Sequence, residues 1–136
     1  MVKPTFLLTL LLFAGMAHAG DDFDERVTRA RKVERSSPAG RDYLMQYMPE
    51  TSAAFEKIYG DCSRLGRRGE AETFTLVFDI DATGRITHVA VAEKDQSEYT
   101  RCYAEGMAGI KGPPPPESFA EKGFPAVIDA THHIKR

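Results

Sequence analysis

Cysteine is scarce in this chain, which has only Cys62 and Cys102. Thirty-nine residues separate the two, a spacing that fits neither a zinc-binding pair nor a C-x-x-C redox motif. An excess of one charge is also lacking, with 18 basic residues against 20 acidic ones. So balanced a chain gives no electrostatic reason to expect nucleic acid or an anionic membrane as a partner. No serine stands in a G-x-S-x-G elbow, and there is no glycine-rich phosphate loop. The carboxylates are scattered over predicted helix surfaces, where solvation accounts for them. Nothing brings an acid, a base and a nucleophile together, so neither catalysis nor a cofactor is expected.

There is one long hydrophobic run, and it lies at the start. Lys3 precedes it, Phe6 to Ala14 is apolar apart from Thr9, and Ala17-His18-Ala19 gives the small-x-small pattern read by signal peptidase. Residues 1–19 are therefore expected to be a cleavable signal peptide. The run is too short to span a bilayer comfortably, and Asp21, Asp22 and Asp24 follow at once, which argues against a membrane anchor. No cysteine follows the small residues, which argues against a lipoprotein. The expected product is an exported protein, periplasmic or secreted, with no stable membrane insertion after cleavage. It carries 17 basic and 20 acidic residues, since Lys3 is the one charged residue of the signal. In an oxidising compartment Cys62 and Cys102 are expected to pair, the other arrangement being two separate buried thiols.

The mature chain is one domain's worth of sequence. Residues 20–40 form a charged N-terminal segment ending in the linker-like Ser36-Ser37-Pro38-Ala39-Gly40. Val27, Ala30 and Val33 make only a thin apolar stripe there, compatible with a loose helix or a disordered lead-in. Its basic cluster, Arg26, Arg29, Arg31, Lys32 and Arg35, is interrupted by acids and reads as a solvated face. The domain proper is expected over 41–136. Arg41–Met48 suggests a helical turn or two before Pro49. Phe55, Ile58, Tyr59, Cys62 and Leu65 then mark one face of a helix that stops at Gly66.

The period next changes to two. Phe74, Leu76, Phe78 and Ile80 alternate with Thr73, Thr75, Val77 and Asp79, the pattern of a half-buried strand. Asp81-Ala82-Thr83-Gly84 is turn chemistry, and Ile86–Glu93 reads as the returning strand of a hairpin. Helix period resumes over Tyr99–Ile110 with Ser97 as cap, Pro113–Pro116 form a stiff connector, and Val127–Ile134 reads as a last strand. The fold class is α+β: a small antiparallel three-stranded sheet, hairpin plus final strand, packed against two helices. Each cysteine lies on the apolar face of its helix, so a disulfide would staple the two helices over one face of the sheet.

Three motifs compete with this structural reading. Asp79–Gly84 opens like a calcium loop, but Ala90 stands where the bidentate Glu belongs, which favours a hairpin turn. His132 and His133 are neighbours on a strand and point to opposite faces, while His88 could approach one of them across the sheet. Without a thiolate or carboxylate cluster, no metal site is expected. Pro113–Pro116 could serve as a polyproline ligand, though a rigid connection is the simpler role.

The hairpin Phe74–Val91 resembles the first hairpin of TonB C-terminal-like domains, of the TonB/TolA C-terminal type. Those domains continue with a helix, a proline-bearing connector and a final strand, matched here by Tyr99–Ile110, Pro113–Pro116 with Phe124-Pro125, and Val127–Ile134. Some stand-alone members carry cysteines at the places of Cys62 and Cys102. The resemblance covers about residues 50–134 and implies a periplasmic module of Gram-negative bacteria that takes an extended segment of an envelope protein onto a sheet edge. It places the candidate partner-binding edge at the last strand, with Val127, Ile128, Ala130, Thr131, His132 and Ile134. Energy transducers have an uncleaved anchor and a long spacer. This chain has a cleavable signal and a short lead-in, so it is expected to bind without coupling inner-membrane energy. A homodimer through the same edge is a further possibility. A reading of a different class is a small periplasmic inhibitor or immunity-type protein that binds a secreted or envelope enzyme through loops such as Arg64–Gly69.

Overall fold

The computed structural model describes residues 19–135, with side chains described from Asp22. The signal peptide expected at 1–19 thus lies, but for Ala19, outside the described residues. Three helices, α1 (Ala19–Ser36), α2 (Pro38–Cys62) and α3 (Glu98–Met107), accompany three strands, β1 (Ala71–Ile80), β2 (Ile86–Val91) and β3 (Phe124–His133). The sheet is antiparallel in the order β2-β1-β3, so the strand with the cleanest alternation is the central one. This is the α+β arrangement of a hairpin plus a final strand.

Phe74, Leu76, Phe78 and Ile80 of β1 all point to one face and are 0–1% exposed. Burial of such side chains contributes roughly 1.5–3 kcal/mol each. They pack against Tyr47, Phe55 and Ile58 of α2 and Tyr99, Tyr103 and Met107 of α3. Cys62 and Cys102 are bonded, with an S–S distance of 2.06 Å, and tie the end of α2 to α3. The segments on either side of Pro49 were expected as separate helical pieces, yet they form one helix of 25 residues. Proline cannot donate to the carbonyl of Met45. Met45 is 76% exposed, so that turn faces water, which can hydrate the orphan carbonyl.

The second face of the sheet departs from expectation. The charged segment is neither a loose lead-in nor merely a solvated face, because α1 lies on the sheet. Ala30 is 0% exposed and Val77, on the face away from α2, is 1% exposed. Arginines of the basic cluster bind the sheet's acids. Arg31 donates to Asp129 Oδ2 at 2.9 Å, and Arg26 and Arg29 stand 3.8 and 4.0 Å from Asp79. The sheet therefore packs against three helices rather than two. The linker-like Ser36–Gly40 is a helix-to-helix junction: Ser37 is the N-cap of α2, its Oγ accepting from Gly40 N at 3.0 Å, and Pro38 is the first helical residue. Serine, proline and glycine punctuate linkers and begin helices alike, so composition could not separate the two.

The hairpin turn is as expected. Asp81 Oδ1 accepts from Thr83 N, Thr83 Oγ1 and Arg85 N at 2.9, 2.6 and 3.1 Å. These bonds, the Thr83 hydroxyl first, hold the Asp81 carboxyl below the usual carboxylate range. The return strand is less regular than its composition suggests. Asp79 pairs with Thr87 but Val77 pairs with Ala90, so His88 and Val89 together oppose Phe78 in a β-bulge. His88 has a φ of 52°, left-handed backbone at a residue other than glycine. The bulge shifts the strand's phase, and so Ile86, Val89 and Val91 all reach the core side despite their mixed parity.

Candidate functional site

Hydrogen-bond parity decides which backbone groups of the sheet remain open. Ile134 N donates to Glu70 O at 3.0 Å, and Gly69 N donates to Ile134 O at 3.2 Å. The register from Ala71↔His133 to Ile80↔Phe124 continues this ladder without interruption. Bonded pairs recur at every second residue of an antiparallel ladder. The even-numbered residues of β3 therefore spend their N–H and C=O groups on β1, and the odd-numbered ones turn theirs to the open edge. Pro125, which has no N–H, stands at an odd position, where none is needed. At the other end Tyr59 of α2 donates its hydroxyl to His133 O. Between them, among the described residues, the N–H and C=O groups of Val127, Asp129 and Thr131 have no partner.

The other edge of the sheet is largely closed. Ile86 N donates to Ile110 O at 2.8 Å, and Gly109 N donates to Ile86 O at 3.0 Å. Val91 O accepts from Gln96 Nε2 at 3.1 Å, and His88 O accepts from Arg26. The segment after α3 and the loop after β2 thus occupy the positions that an added strand would take. An isolated bridge between Arg85 and Lys111 marks the same closure.

The six edge residues proposed from the sequence divide into two roles. Val127 and Thr131 offer open backbone. Ile128, Ala130, His132 and Ile134 are tied to β1 and point their side chains toward the helices. Ile128 and Ala130 are only half-buried there. Leu44, Met48 and Tyr59 lie along one flank of α2, and Tyr59 of that flank is bonded to His133 at the end of β3. An added strand would cover these partly exposed apolar groups. Sequence reasoning missed Asp129 and Tyr59. Asp129 Oδ1 accepts from Thr75 Oγ1 at 2.8 Å, and that bond, with Arg31, holds its carboxyl below the usual range. Pro125 was the available signal, because its position alone gives the parity of the open edge.

His132 is enclosed rather than exposed. The rings of Tyr59, Phe74, Tyr99 and Tyr103 surround it at centroid distances of 5.5, 5.1, 5.9 and 5.0 Å. Its Nδ1 is 2.6 Å from Tyr99 Oη. Burial raises the Tyr99 phenol, so this hydroxyl stays protonated, and it donates to Nδ1 or accepts from it according to the tautomer of His132. Burial also lowers the pKa of His132 from its ordinary 6.5. The folded state thus binds its proton less readily than the unfolded state. Stability from this group is full above about pH 6.5 and declines as pH falls from there through the lowered folded pKa. Urea unfolding midpoints measured from pH 7.5 to 4.5 should show that loss, and His132→Phe should flatten it. A wild-type midpoint independent of pH across this range would contradict it.

The other two histidines among the described residues do not join His132. His133 is exposed on the opposite face, paired with Ala71. His88 does not approach either across the sheet. β1 intervenes, and His88 lies beside Asp79, eight residues or roughly 26 Å along that strand from Ala71. Its Nδ1 is 3.3 Å from Asp79 Oδ2. Among the described residues no three His, Cys, Asp or Glu side chains converge as a metal site would require. Ser97 is engaged as a helix cap, with Oγ 3.0 Å from Glu72 Oε2 and accepting from Thr100 N at 3.1 Å. Arg67, in the loop considered for enzyme inhibition, stays exposed and 3.9 Å from Glu70. The chemistry on offer at the β3 edge is therefore a short row of backbone donors and acceptors beside an apolar shelf. No protein-family model, curated protein sequence or solved structure matches this chain.

Proposed function

We propose that the protein is an exported, non-catalytic binding module of the cell envelope, of TonB C-terminal-like type, which receives an extended segment of a protein partner on the edge of β3. The observation that carries this reading is the asymmetry of the sheet. The open backbone of Val127, Asp129 and Thr131 faces outward, while the β2 edge is closed by Gly109, Ile110 and Gln96. Backbone bonds would supply affinity, and the shelf of Ile128, Ala130, Leu44 and Met48 would select apolar side chains at alternate positions. A periplasmic location fits a bonded cysteine pair and an expected signal peptide. Among the described residues, no helix is long and apolar enough to cross a membrane.

The test is affinity capture from periplasmic and outer-membrane extracts with residues 20–136, disulfide intact, against Thr131→Pro. Thr131 N–H points outward, so proline there removes an edge donor and leaves the ladder to β1 whole. A partner held by the wild type should be lost, with affinity reduced at least about tenfold for one blocked strand-to-strand contact and its displaced neighbours. Circular dichroism should show the variant folded. Ile128→Pro would be a poor control, because Ile128 N–H is spent on β1 and its loss would weaken the sheet itself. Capture of a secreted hydrolase that survives Thr131→Pro but is lost with Arg67→Ala and Arg68→Ala would overturn edge binding in favour of an inhibitor.

A further inference from the structure

A groove of about 1220 Å³ opens on the opposite side of the molecule, between the N-terminal half of α1 and β2 with its following loop. Its apolar lining comes from Phe23 and Val27 of α1 and from Ala90, Val91 and Ala92 at the end of β2. All but Ala92 are only half-buried. α1 meets the sheet closely at Ala30 and stands away from it toward its start, which leaves this apolar wedge open.

The charges around the groove are unequal once internal pairs are set aside. Arg26 and Arg31 line it but are committed to Asp79 and Asp129. Asp22, Asp24 and Glu93 also line it, and none of them has an ion-pair partner among the described residues. Lys94 is the one cation of the lining left to answer them. Glu25, beside Asp22 in the adjoining hollow at His88, adds a further uncommitted carboxylate. The result is an apolar floor under an acidic rim. We propose that this groove is a second docking surface, for a basic, amphipathic polypeptide segment whose apolar side lies on Phe23, Val27 and Ala90 and whose cations meet Asp22, Asp24 and Glu93. It is separate from the β3 edge and does not depend on the strand-addition reading.

The chain contains no tryptophan, so Phe23→Trp places a single indole reporter in the groove. Titration of that protein with a short synthetic helix of leucine and lysine should give a saturable change in emission. The glutamate counterpart of the peptide should give none. Adding Asp22→Lys, Asp24→Lys and Glu93→Lys should weaken binding roughly tenfold, as expected from three exposed ion pairs turned repulsive. Glu93→Lys alone leaves the first turn of α1 intact and should weaken it about threefold. Thr131→Pro should have no effect, which separates this site from the β3 edge. Equal binding of the acidic peptide, no effect of either charge reversal, or no saturable change would overturn the proposal. So would sedimentation showing the protein dimerising through the groove, since a second copy would then be the occupant.

Discussion

Reduction of the Cys62–Cys102 bond is expected to destabilise the folded protein by about 4 kcal/mol, the chain-entropy cost released when a loop of this length is opened. The two residues are 40 apart in sequence, and that loop contains the whole β1–β2 hairpin. The bond also joins the C-terminal end of α2 to α3 beside the ring cluster at His132. A melting temperature lower by roughly 15 °C should follow for a domain of this size. The measurement is thermal unfolding by circular dichroism with and without reductant, together with the double variant Cys62→Ala and Cys102→Ala. The reduced protein and the double variant should agree. A shift of only a few degrees would mean that the helices hold each other without the covalent tie.

Gly84→Ala should be almost as damaging, for a local reason. Gly84 ends the hairpin turn with a φ of 88°. Left-handed backbone costs other residues roughly 1–2 kcal/mol. A Cβ there would lie 2.1 Å from the carbonyl oxygen of Gly112 and 2.7 Å from that of Pro113, both rigid backbone atoms. To make room, the turn would have to part from the segment after α3. That movement endangers the bonds from Gly112 N and Tyr47 Oη to Gly84 O, each 2.9 Å. Tyr47 is fully buried, so an orphaned hydroxyl there costs a further 1–3 kcal/mol or so. The total loss should be about 3–5 kcal/mol. Gly69→Ala is the matched comparison. Gly69 has a φ of 81° but nothing within 4 Å of a Cβ, so only the conformational cost of about 1–2 kcal/mol should appear. Equal effects from the two substitutions in urea unfolding would refute the steric part of this account.

Turn and pattern were readable because both are local. The alternation of Phe74, Leu76, Phe78 and Ile80 specifies a strand with one buried face, and the structure buries that face completely. The spacing of Phe55, Ile58 and Cys62 specifies a helix, and Ser97 caps α3 through Thr100 as its position suggests. α1 was harder. Its stripe of Val27, Ala30 and Val33 is too thin to announce a docked helix. The structure adds to that stripe, whose Ala30 is fully buried, the pairing of Arg26, Arg29 and Arg31 with acids that lie 50 or more residues away in sequence. Pro49 misled in the opposite direction, since it sits on the solvent side of a helix that the core holds together. The bulge at His88 was visible in principle, because Ile86 and Val91 cannot share a face in an unbroken period of two.

The sequence by itself determined the α+β class, the order of elements from α2 onward and the inward face of β1. Each depends on residue type and on spacing within a few turns or one hairpin. Tertiary structure alone decided which sheet edge stays open. That outcome depends on β3 crossing to the far side of β1, on the segment after α3 returning to cover Ile86, and on Tyr59 reaching His133. It also decided that the charged N-terminal segment covers the second face of the sheet. These are long-range pairings between backbone groups or single charged side chains, and neither hydrophobic period nor turn chemistry encodes the distance they span.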